Sequence, residues 1–382
     1  MSLKYKGCCI MKRIIVVGAG ILGASTAYQL SKKNVDVVIV DRKDKGQATD
    51  AAAGIVCPWL SQRRNQAWYQ LAKAGARFYP TLIQELEKCG ETDTGYAQVG
   101  ALSLHKDKEK LTKLKERAMK RQLDAPELGE ILQLSKEETQ ALFPPLDKEF
   151  ESVHVSGAAR VDGRALRDAL LRTAQKNGAT FINEDAKILY TEKHVTGVQI
   201  GNKSLAADMV VICAGAWATQ LLQPLGIHFQ VRFQKAQIVH LALQDTDTNH
   251  WPVLIPPGKQ YLLAFENGRI VAGATHEDIE EFDTRVTLGG LQEVMNTATE
   301  TVPGITDATF IEARTGFRPF TPGFLPVIGP IPEWEGIVVA NGLGASGLTM
   351  GPYIGSELAK LAVGEEVEMN LDLYSVQGAI DD

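Results

Sequence analysis

The stretch RIIVVGAGILGASTAYQLSKKNVDVVIVD, residues 13–41, decides the fold of this chain. An apolar, β-branched run leads directly into the turn Gly18–Gly23 (GAGILG), a helical pattern follows, and a second apolar run ends on Asp41. Strand, glycine turn, helix, strand and acid, with the acid about twenty residues beyond the turn, form the dinucleotide-binding pattern in its full context. The stretch therefore predicts a Rossmann-like domain with a bound dinucleotide.

Each glycine of this turn has a separate physical role. Gly18 makes the tight turn, and Gly20 lets a pyrophosphate approach the backbone because it has no side chain. Gly23 allows close packing of helix on strand, and the helix N terminus presents free N–H groups and a partial positive charge to phosphates. Asp41 can accept a hydrogen bond from a ribose hydroxyl. The alternative interpretation is an ordinary glycine-rich strand-to-helix turn.

The bulk properties narrow the classes of function. With 382 residues, 45% of them apolar, the chain is long enough for one or two domains. Its net charge of −6 argues against nucleic acid as the main partner. The cysteines are odd in number and form no CxxC pair, so no disulfide framework and no metal site are expected, and a reducing cytoplasm fits. They are Cys8, Cys9, Cys57, Cys89 and Cys213.

Two features bear on membranes and on the N terminus. The strongly apolar run at 209–218 covers about ten residues, which is too short to cross a bilayer. Residues 106–121 predict a charged helix whose thin apolar stripe favours a solvated surface, with a peripheral membrane contact left open. The N terminus lacks the pattern of a secretory signal, and the first strand begins right after Met11. Residues 1–10 are therefore predicted to be a tag or a non-native start.

Farther along, the pattern changes from α/β to mostly β and back. Helices are predicted at 66–87 and 161–177, and residues 208–217 predict a buried strand that ends in small residues. Residues 229–243 and 252–273 alternate and are rich in β-branched residues, as in an antiparallel sheet, with Asn267-Gly268 as a hairpin-turn signal. A strand at 337–340, a glycine-rich turn at 341–347 and a helix at 352–362 restore the α/β character.

This order predicts an α/β fold in which a Rossmann-like domain contains an inserted antiparallel-sheet (α+β) domain. The nucleotide domain is predicted to be discontinuous, over 11–90, 155–225 and 325–382, and the inserted substrate domain to cover 91–154 and 226–324. A return to the first domain after a long β insertion is typical of a flavoprotein. A nicotinamide dehydrogenase, which usually keeps its cofactor fold contiguous, is the alternative.

Four segments together resemble the D-amino-acid oxidase superfamily of FAD-dependent oxidoreductases, nearest in pattern to glycine oxidase and D-amino-acid dehydrogenase (DadA-like) proteins. They are the glycine turn with Asp41, TDAAAG at 49–54, VVICAGAW at 210–217, and TGFRPFTP at 315–322 with 325–329 and 342–347 beyond it. Their order and spacing carry the resemblance over nearly the whole length from Met11. It implies noncovalent FAD, because the cysteine that tethers the flavin in the sarcosine oxidase branch has no counterpart near 315–322.

The resemblance also implies a set of residues in contact with FAD. The glycine turn would cradle the pyrophosphate, Asp41 would bind the ribose, and Arg42 and Lys43 would lie near the adenine or at the surface. Small residues beside the flavin have a physical reason, because a flat ring needs close backbone approach. The implied cofactor-binding residues are Gly18, Gly20, Ile21, Leu22, Gly23, Asp41, Arg42, Lys43, Ala52, Ala53, Gly54, Ile188, Ala214, Gly215, Arg318, Gly342, Gly344, Gly347 and Leu348.

On the substrate side the resemblance points to Arg318, Tyr261 and His276 as catalytic residues. The arginine fork suits bidentate binding of a carboxylate, and Arg318 matches the family position that binds it. Tyr261 could donate to the same carboxylate or be a packed ring, and His276 could shape the amine site or be structural. Arg314, four residues before Arg318, is expected to be structural and to lie on a different face of the strand.

The implied reaction is oxidation of the C–N bond of a D- or small α-amino acid, or of a secondary amine, by hydride transfer to flavin N5, which yields an imino acid. The amine must be neutral for its lone pair to assist, so activity should rise toward alkaline pH. The electron acceptor, oxygen or a quinone, stays open, as does homo-oligomerisation. Glycine oxidase carries an arginine near the position of Ala345, which argues against glycine itself as the substrate.

Two further functions stay open. One is an FAD-dependent 2-hydroxy-acid or glycerol-phosphate dehydrogenase, since Arg318 would serve a hydroxy acid equally well. A non-catalytic flavin-binding protein would carry the cofactor without turnover, although an arginine beside the flavin argues against it.

Overall fold

Two sheets of different character organise this computed structural model, which describes residues 11–381. Residues 1–10, predicted to be a tag or a non-native start, lie outside the described residues. Within 11–381 the strands are β1 (Arg13–Val17), β2 (Asp36–Val40), β3 (Ile55–Val56), β4 (Ala101–His105), β5 (Ile131–Leu134), β6 (Glu151–Val155), β7 (Ala159–Arg160), β8 (Thr180–Ile182), β9 (Ala186–Thr191), β10 (His194–Ile200), β11 (Lys203–Ala206), β12 (Met209–Ile212), β13 (Arg232–Ala242), β14 (Val253–Ile255), β15 (Tyr261–Ala264), β16 (Arg269–Gly273), β17 (Glu277–Asp278), β18 (Thr309–Phe320), β19 (Val327–Pro330) and β20 (Ile337–Asn341).

The α-helices of the same range pack against both sheets. They are α1 (Ile21–Ser31), α2 (Gln66–Lys88), α3 (Lys108–Gln122), α4 (Lys136–Leu142), α5 (Gly163–Lys176), α6 (Ala218–Leu222), α7 (Leu288–Thr301) and α8 (Gly347–Val363).

The first sheet has six strands in the order β19-β20-β12-β1-β2-β8, all parallel except the antiparallel pair β19–β20. Ile14 and Val16 of β1 pack in the core shared with α1 and α8, while Ile15 and Val17 pack toward the small sheet β9–β11 on the other face. A strand that is buried on both faces needs apolar residues at every position. This is why β1 reads as a continuous apolar run.

The second sheet has nine strands and supplies a broad, mostly antiparallel platform. Its order is β17-β13-β16-β15-β14-β4-β6-β5, with β18 paired along β13. The pair β14–β4 is parallel, whereas the other pairs of this sheet are antiparallel. Asn267 and Gly268 both have positive φ between β15 and β16, so the predicted hairpin turn is confirmed.

The last helix begins earlier than predicted, at Gly347 rather than Pro352. Pro352 has no N–H and cannot donate to the carbonyl of Leu348 one turn before it. The hydroxyl of Tyr79 donates to that carbonyl instead, at 2.6 Å. A hydroxyl from α2 therefore lets α8 continue through the proline, an arrangement that local sequence does not reveal.

The charged helix at 106–121 is confirmed as α3, but its apolar stripe is used by the fold. Leu111, Leu114 and Ala118 are buried and belong to the main hydrophobic core. The stripe is therefore not available to a lipid surface. In the part of the chain that the structure describes, no helix is long and apolar enough to cross a membrane.

The membership of the two sheets supports the discontinuous division expected from the sequence. Strands of the first sheet come from 13–40, 180–182, 209–212 and 327–341, and strands of the second from 101–105, 131–155, 232–278 and 309–320. We propose that the two sheets mark the cofactor and the substrate domain, with boundaries at the positions predicted above.

Gly23 supplies a test of the packing between α1 and β1. A Cβ at Gly23 would lie 1.8 Å from the carbonyl oxygen of Gly18, so Gly23→Ala must push the helix away from the strand. Overpacking of this kind typically costs about 1–3 kcal/mol. We expect a lower free energy of unfolding for Gly23→Ala in guanidinium titrations, with or without added FAD.

The matched control is Gly289→Ala in α7, where a new Cβ would meet nothing within 4 Å. This variant should be as stable as the parent or slightly more stable, since alanine has the better helix propensity. Equal stability of the two variants would contradict the packing role of Gly23.

Candidate cofactor and substrate site

The larger of two adjoining cavities lies at the carboxyl ends of β1, β2, β12 and β20 and has a volume of about 490 Å³. We call it the cleft. In open α/β sheets this edge is where ligands bind. The predicted cofactor residues that line the cleft are Gly18, Gly20, Ile21, Leu22, Asp41, Arg42, Ile188, Ala214, Gly215, Gly344 and Gly347.

The three glycines of the turn divide into two structural roles. Gly18 has a φ of +99°, and a Cβ there would lie 2.4 Å from the carbonyl oxygen of Cys213. Gly18 and Gly23 are therefore required by packing. A Cβ on Gly20 would meet only Thr49 Oγ1, at 3.3 Å, and Gly20 forms part of the cleft wall. Gly20 thus keeps the wall open at the N terminus of α1.

Asp41 ties the glycine turn to the segment that follows β2. One carboxylate oxygen accepts from the backbone N–H of Ala19 at 2.6 Å, and the other from the backbone N–H of Lys43 at 2.5 Å. Gln47 Nε2 donates to the second oxygen at 2.9 Å. The carboxylate is nearly buried and faces the cleft, where its remaining lone pairs can accept a ribose hydroxyl.

Sequence reasoning missed the polar side chains that join the turns around the cleft. Thr49 Oγ1 accepts from the backbone N–H of Ile21 at 2.9 Å. Asn341 Nδ2 donates to the carbonyl of Gly215 at 2.9 Å, and its Oδ1 accepts from the backbone N–H of Gly342 at 2.7 Å. Thr49 and Asn341 are each the first residue of a segment that the sequence analysis noted for its small residues. Their side chains can bind backbone groups, and this was the signal that could have predicted their roles.

The smaller cavity, of about 110 Å³, adjoins the cleft and is called the substrate cavity below. Ile21, Thr49 and Gly344 line both spaces. Its remaining walls are mostly alanine and glycine, so backbone can approach a flat ring closely here. The predicted residues on its walls are Ala52, Ala53, Gly54, Gly347, Leu348, Tyr261 and Arg318.

Arg318 is the cation of the substrate cavity and is free to bind an anion. Its Nη1 makes only two long contacts, each of 3.5 Å, with Gln234 Oε1 and the carbonyl oxygen of Thr275. Among residues 11–381 no carboxylate lies within ion-pair distance of it. A half-buried guanidinium with no carboxylate beside it is suited to bind a carboxylate from a ligand.

Tyr261 lies beside Arg318 on the wall of the same cavity. Burial raises the pKa of the Tyr261 hydroxyl, and the positive charge of Arg318 partly opposes this shift. The phenol therefore stays protonated and can donate a hydrogen bond. Arg318 and Tyr261 together present several donors to one small space.

His276 stands next to this pair but does not line the substrate cavity. Burial, with the positive charges of Arg318 and Lys259, lowers the pKa of His276 to about 4. The ring is therefore neutral near pH 7. Its Nδ1 lies 3.1 Å from the carbonyl oxygen of Ala274, which can only accept, so the ring proton is assigned to Nδ1 and Nε2 is left as an acceptor.

Three of the predicted cofactor residues do not line either cavity. Gly23 has the packing role described above, and a Cβ on Gly342 would lie 1.8 Å from Thr321 Oγ1. The ammonium of Lys43 lies 5.1 Å from the centre of the Phe181 ring, away from the cleft. Of the two positions expected for Lys43, near the adenine or at the surface, the structure therefore favours the surface.

Arg314 is structural, as expected, but the expected change of face is wrong. Residues four apart in a strand point to the same face, because side chains alternate with a period of two. Arg314 and Arg318 therefore share a face of β18. They differ in their partners, since Arg314 Nη2 contacts Glu312 at 2.5 Å and its Nη1 donates to the carbonyl of Asp50 at 3.3 Å.

Comparison with known proteins identifies the family. The family model for FAD dependent oxidoreductases (DAO) matches residues 13–361. The chain belongs to this family. It is 61% identical over 371 residues to the uncharacterized oxidoreductase YurR of Bacillus subtilis, covering 97% of this chain and 100% of that protein. It is 29% identical to glycine oxidase of Pseudomonas aeruginosa, over 97% of this chain and 100% of that enzyme.

Among solved structures, the iminodiacetate oxidase of Chelativorans sp. BNC1 superposes with a TM-score of 0.93. The two sequences are 44% identical, and the match covers 95% of this chain and 98% of that one. The predicted fold class and the predicted FAD cofactor are thereby confirmed, and the nicotinamide alternative is wrong.

The cleft fits the FAD of this family. The glycine turn leaves the N terminus of α1 uncovered at the wall, where backbone N–H groups favour a pyrophosphate. Asp41 follows β2 on the same wall. Gly344 lines both the cleft and the substrate cavity, whose wall includes Ala52, Ala53 and Gly54. The polar groups of a dinucleotide would therefore lie at the glycine turn and Asp41, and its flat ring would lie beside the small residues at 52–54.

A buried histidine of the same sheet predicts how stability depends on pH. His240 is 3% exposed, and burial together with Arg314 and Arg269 lowers its pKa to about 4. The unfolded chain binds a proton near the ordinary value of 6.5, so stability is lost as the pH falls from about 6.5 to about 4. We expect His240→Met to remove roughly 1–2 kcal/mol of the stability difference between pH 7.5 and pH 5.

Guanidinium unfolding of the parent and the variant at both pH values measures this difference. His228→Met, at an exposed histidine, is the control and should keep the full pH dependence. An unchanged pH dependence in His240→Met would show that His240 is not responsible.

Proposed function

We propose that this FAD-dependent oxidoreductase oxidises the C–N bond of an amine that carries a carboxylate, and that its substrate is a secondary amine of the iminodiacetate class. The observation that carries the proposal is Arg318, a half-buried cation with no carboxylate partner among residues 11–381, on the wall of a cavity that shares lining residues with the FAD cleft. Such a cation fixes a carboxylate by charge and by paired hydrogen bonds.

Two observations support a secondary amine over a simple amino acid. The iminodiacetate oxidase is 44% identical to this chain, well above the 29% of the glycine oxidase. Ala345 lines the substrate cavity where glycine oxidase carries an arginine, and a methyl group leaves space for a second substituent on the nitrogen. A substrate with two arms on its nitrogen makes use of that space.

The side chains have distinct roles in this proposal. The glycine turn, Asp41 and the small residues at 52–54 would hold FAD, which would supply the acceptor for a hydride. Arg318 and the protonated Tyr261 bind one carboxylate and so fix the adjacent C–H bond in one orientation. His276 is neutral and therefore adds no positive charge near the amine of the substrate.

The proposed reaction balances with water and the electron acceptor. Iminodiacetate loses a hydride from carbon and a proton from nitrogen, and the resulting imine takes up water. The C–N bond then breaks to release glycine and glyoxylate. Because the reacting nitrogen must be unprotonated, the rate should rise with pH until the amine is neutral.

A small α-amino acid is the second candidate, supported by the glycine oxidases among the relatives. Arg318 would bind its carboxylate in the same way. The two candidates differ in the second arm on the nitrogen, so substrates with and without that arm separate them.

A panel of substrates tests the proposal on the purified, FAD-loaded protein. Iminodiacetate, sarcosine, glycine, D-alanine and glycolate are added anaerobically, and loss of the flavin absorption band is recorded. We expect the fastest loss with iminodiacetate and formation of one glyoxylate per flavin reduced. Admitting air, or adding a soluble quinone, then identifies the acceptor. Reduction of the flavin by glycolate alone would favour a 2-hydroxy-acid dehydrogenase. If no compound reduces the flavin, a non-catalytic binding protein is favoured.

Replacement of Arg318 tests the carboxylate site directly. Arg318→Ala removes hydrogen bonds to a charged group, worth about 1.5–3 kcal/mol, so KM should rise about 10- to 100-fold. The FAD content should not change, because Arg318 lies on the substrate side. Arg232→Ala, an exposed arginine at the start of β13, is the control. An unchanged KM in Arg318→Ala would remove this residue from the site.

A further inference from the structure

A fully buried lysine lies behind the strand face that carries the substrate site. Lys235 on β13 is 1% exposed, and its neighbours across the sheet are Phe317 on β18 and Glu277 on β17. Gln234, one residue earlier, pairs with Arg318. Because side chains alternate along a strand, Lys235 points away from the substrate cavity and cannot touch the substrate.

The ammonium of Lys235 lies between two carboxylates from different segments. It is 3.0 Å from Asp283 Oδ2 and 3.8 Å from Glu277 Oε2. Both acids keep about 30% of their side-chain surface exposed, at 27% for Asp283 and 31% for Glu277. The lysine is thus the buried member of the cluster, and the two acids reach it from the solvent side.

Glu277 connects this lysine to the turn beside Arg318. Glu277 Oε1 accepts from Thr275 Oγ1 at 2.6 Å and from Gln237 Nε2 at 2.7 Å. Thr275 Oγ1 in turn accepts from the backbone N–H of Gln237 at 2.9 Å. The carbonyl oxygen of Thr275 is one of the two contacts of the Arg318 guanidinium. The position of that carbonyl therefore depends on Glu277.

Asp283 connects the same lysine to the cleft. The preceding residue, Phe282, stacks on Trp217 with ring centres 5.0 Å apart and on Phe233 with centres 4.2 Å apart. Trp217 lines the cleft. The loop at 279–287 thus packs through Phe282 against Trp217, a wall residue of the cleft. The ion pair of Asp283 with Lys235 fixes the residue next to Phe282.

Stability alone does not explain a lysine in this place. A buried ion pair gives little net stability, because desolvation of the charges offsets their attraction, and apolar replacements of similar volume are often tolerated. Since Asp283 and Glu277 are partly exposed, water can solvate them when the lysine is removed. Lys235→Met should therefore fold, and its effects should appear in the two elements that the lysine holds.

We propose that Lys235 is a positioning residue that sets the turn at 275–276 beside Arg318 through Glu277 and holds the loop at 279–287 against Trp217 of the cleft wall through Asp283. The first half of this inference rests on the proposed function, and the second half does not. The effects of the two carboxylates should be separable, because Glu277 contacts the turn at 275–276 and Asp283 belongs to the loop at 279–287.

The test compares Lys235→Met, Glu277→Gln and Asp283→Asn in the FAD-loaded full chain. Binding of the unreactive carboxylate acetate is measured from the shift of the flavin spectrum, and FAD release from the rise of flavin fluorescence after dilution. We expect Glu277→Gln to weaken acetate binding about fivefold or more, Asp283→Asn to speed FAD release by a similar factor, and Lys235→Met to do both.

The matched control is Lys360→Met, which removes a lysine paired at 2.7 Å with Glu357, a carboxylate that is 1% exposed, near the end of α8. This variant should lower the unfolding midpoint without changing the rate of FAD release or the affinity for acetate. If Lys235→Met behaves like Lys360→Met, or leaves both readouts within about twofold of the parent, the proposal is overturned.

Acetate binding and FAD release do not require turnover, so the test is independent of the substrate panel. If no amine reduces the flavin but Lys235→Met still weakens acetate binding and speeds FAD release, the positioning role stands and the proposed function fails. If iminodiacetate reduces the flavin of the parent, and Lys235→Met has the KM and the rate of FAD release of the parent, the proposed function stands and the positioning role fails.

Discussion

The contact on which the cleft depends is the approach of backbone to backbone at the glycine turn. A Cβ on Gly18 would lie 2.4 Å from the carbonyl oxygen of Cys213, and a Cβ on Gly23 would lie 1.8 Å from the carbonyl oxygen of Gly18. The ends of β1 and β12 and the start of α1 therefore meet without side chains between them. This closeness brings the N terminus of α1 to the wall of the cleft, where its N–H groups favour an anion. Asp41 and Thr49 then hold the turn from both sides.

The second constraint joins the two sheets and brings the substrate residues to the cofactor. β18, still paired with β13, packs on the segment at 47–54, where a Cβ on Gly316 would lie 2.8 Å from the Cβ of Ala51. Phe317 donates its backbone N–H to the carbonyl of Gly46 at 2.9 Å. Arg318 follows at once and so reaches the wall of the substrate cavity. A close backbone contact thus places the cation, and the side chains of the cluster around Lys235 hold its surroundings from behind.

Periodicity and motif spacing predicted the parts of the molecule that local physics controls. The apolar run of β1, the glycine turn, the hairpin turn at Asn267-Gly268 and the helix α3 follow from residue patterns over short stretches. Patterns failed where a distant group decides the outcome. Helix α8 continues through Pro352 because Tyr79 satisfies the carbonyl of Leu348. The roles of Thr49 and Asn341 were likewise hidden, because each binds backbone that is far away in sequence.

The sequence by itself predicted the dinucleotide domain, since a strand, a glycine turn, a helix and an acid at this spacing place backbone N–H groups and a carboxylate at one edge of a sheet. It also singled out Arg318, Tyr261 and His276, but as separate residues on separate segments. Only the tertiary structure brought Arg318 and Tyr261 to one cavity, set His276 beside rather than inside it, and left Arg318 without the carboxylate that Arg314 has. The physical reason is that pairing and burial of charges depend on contacts between β13, β16 and β18, which no local pattern encodes.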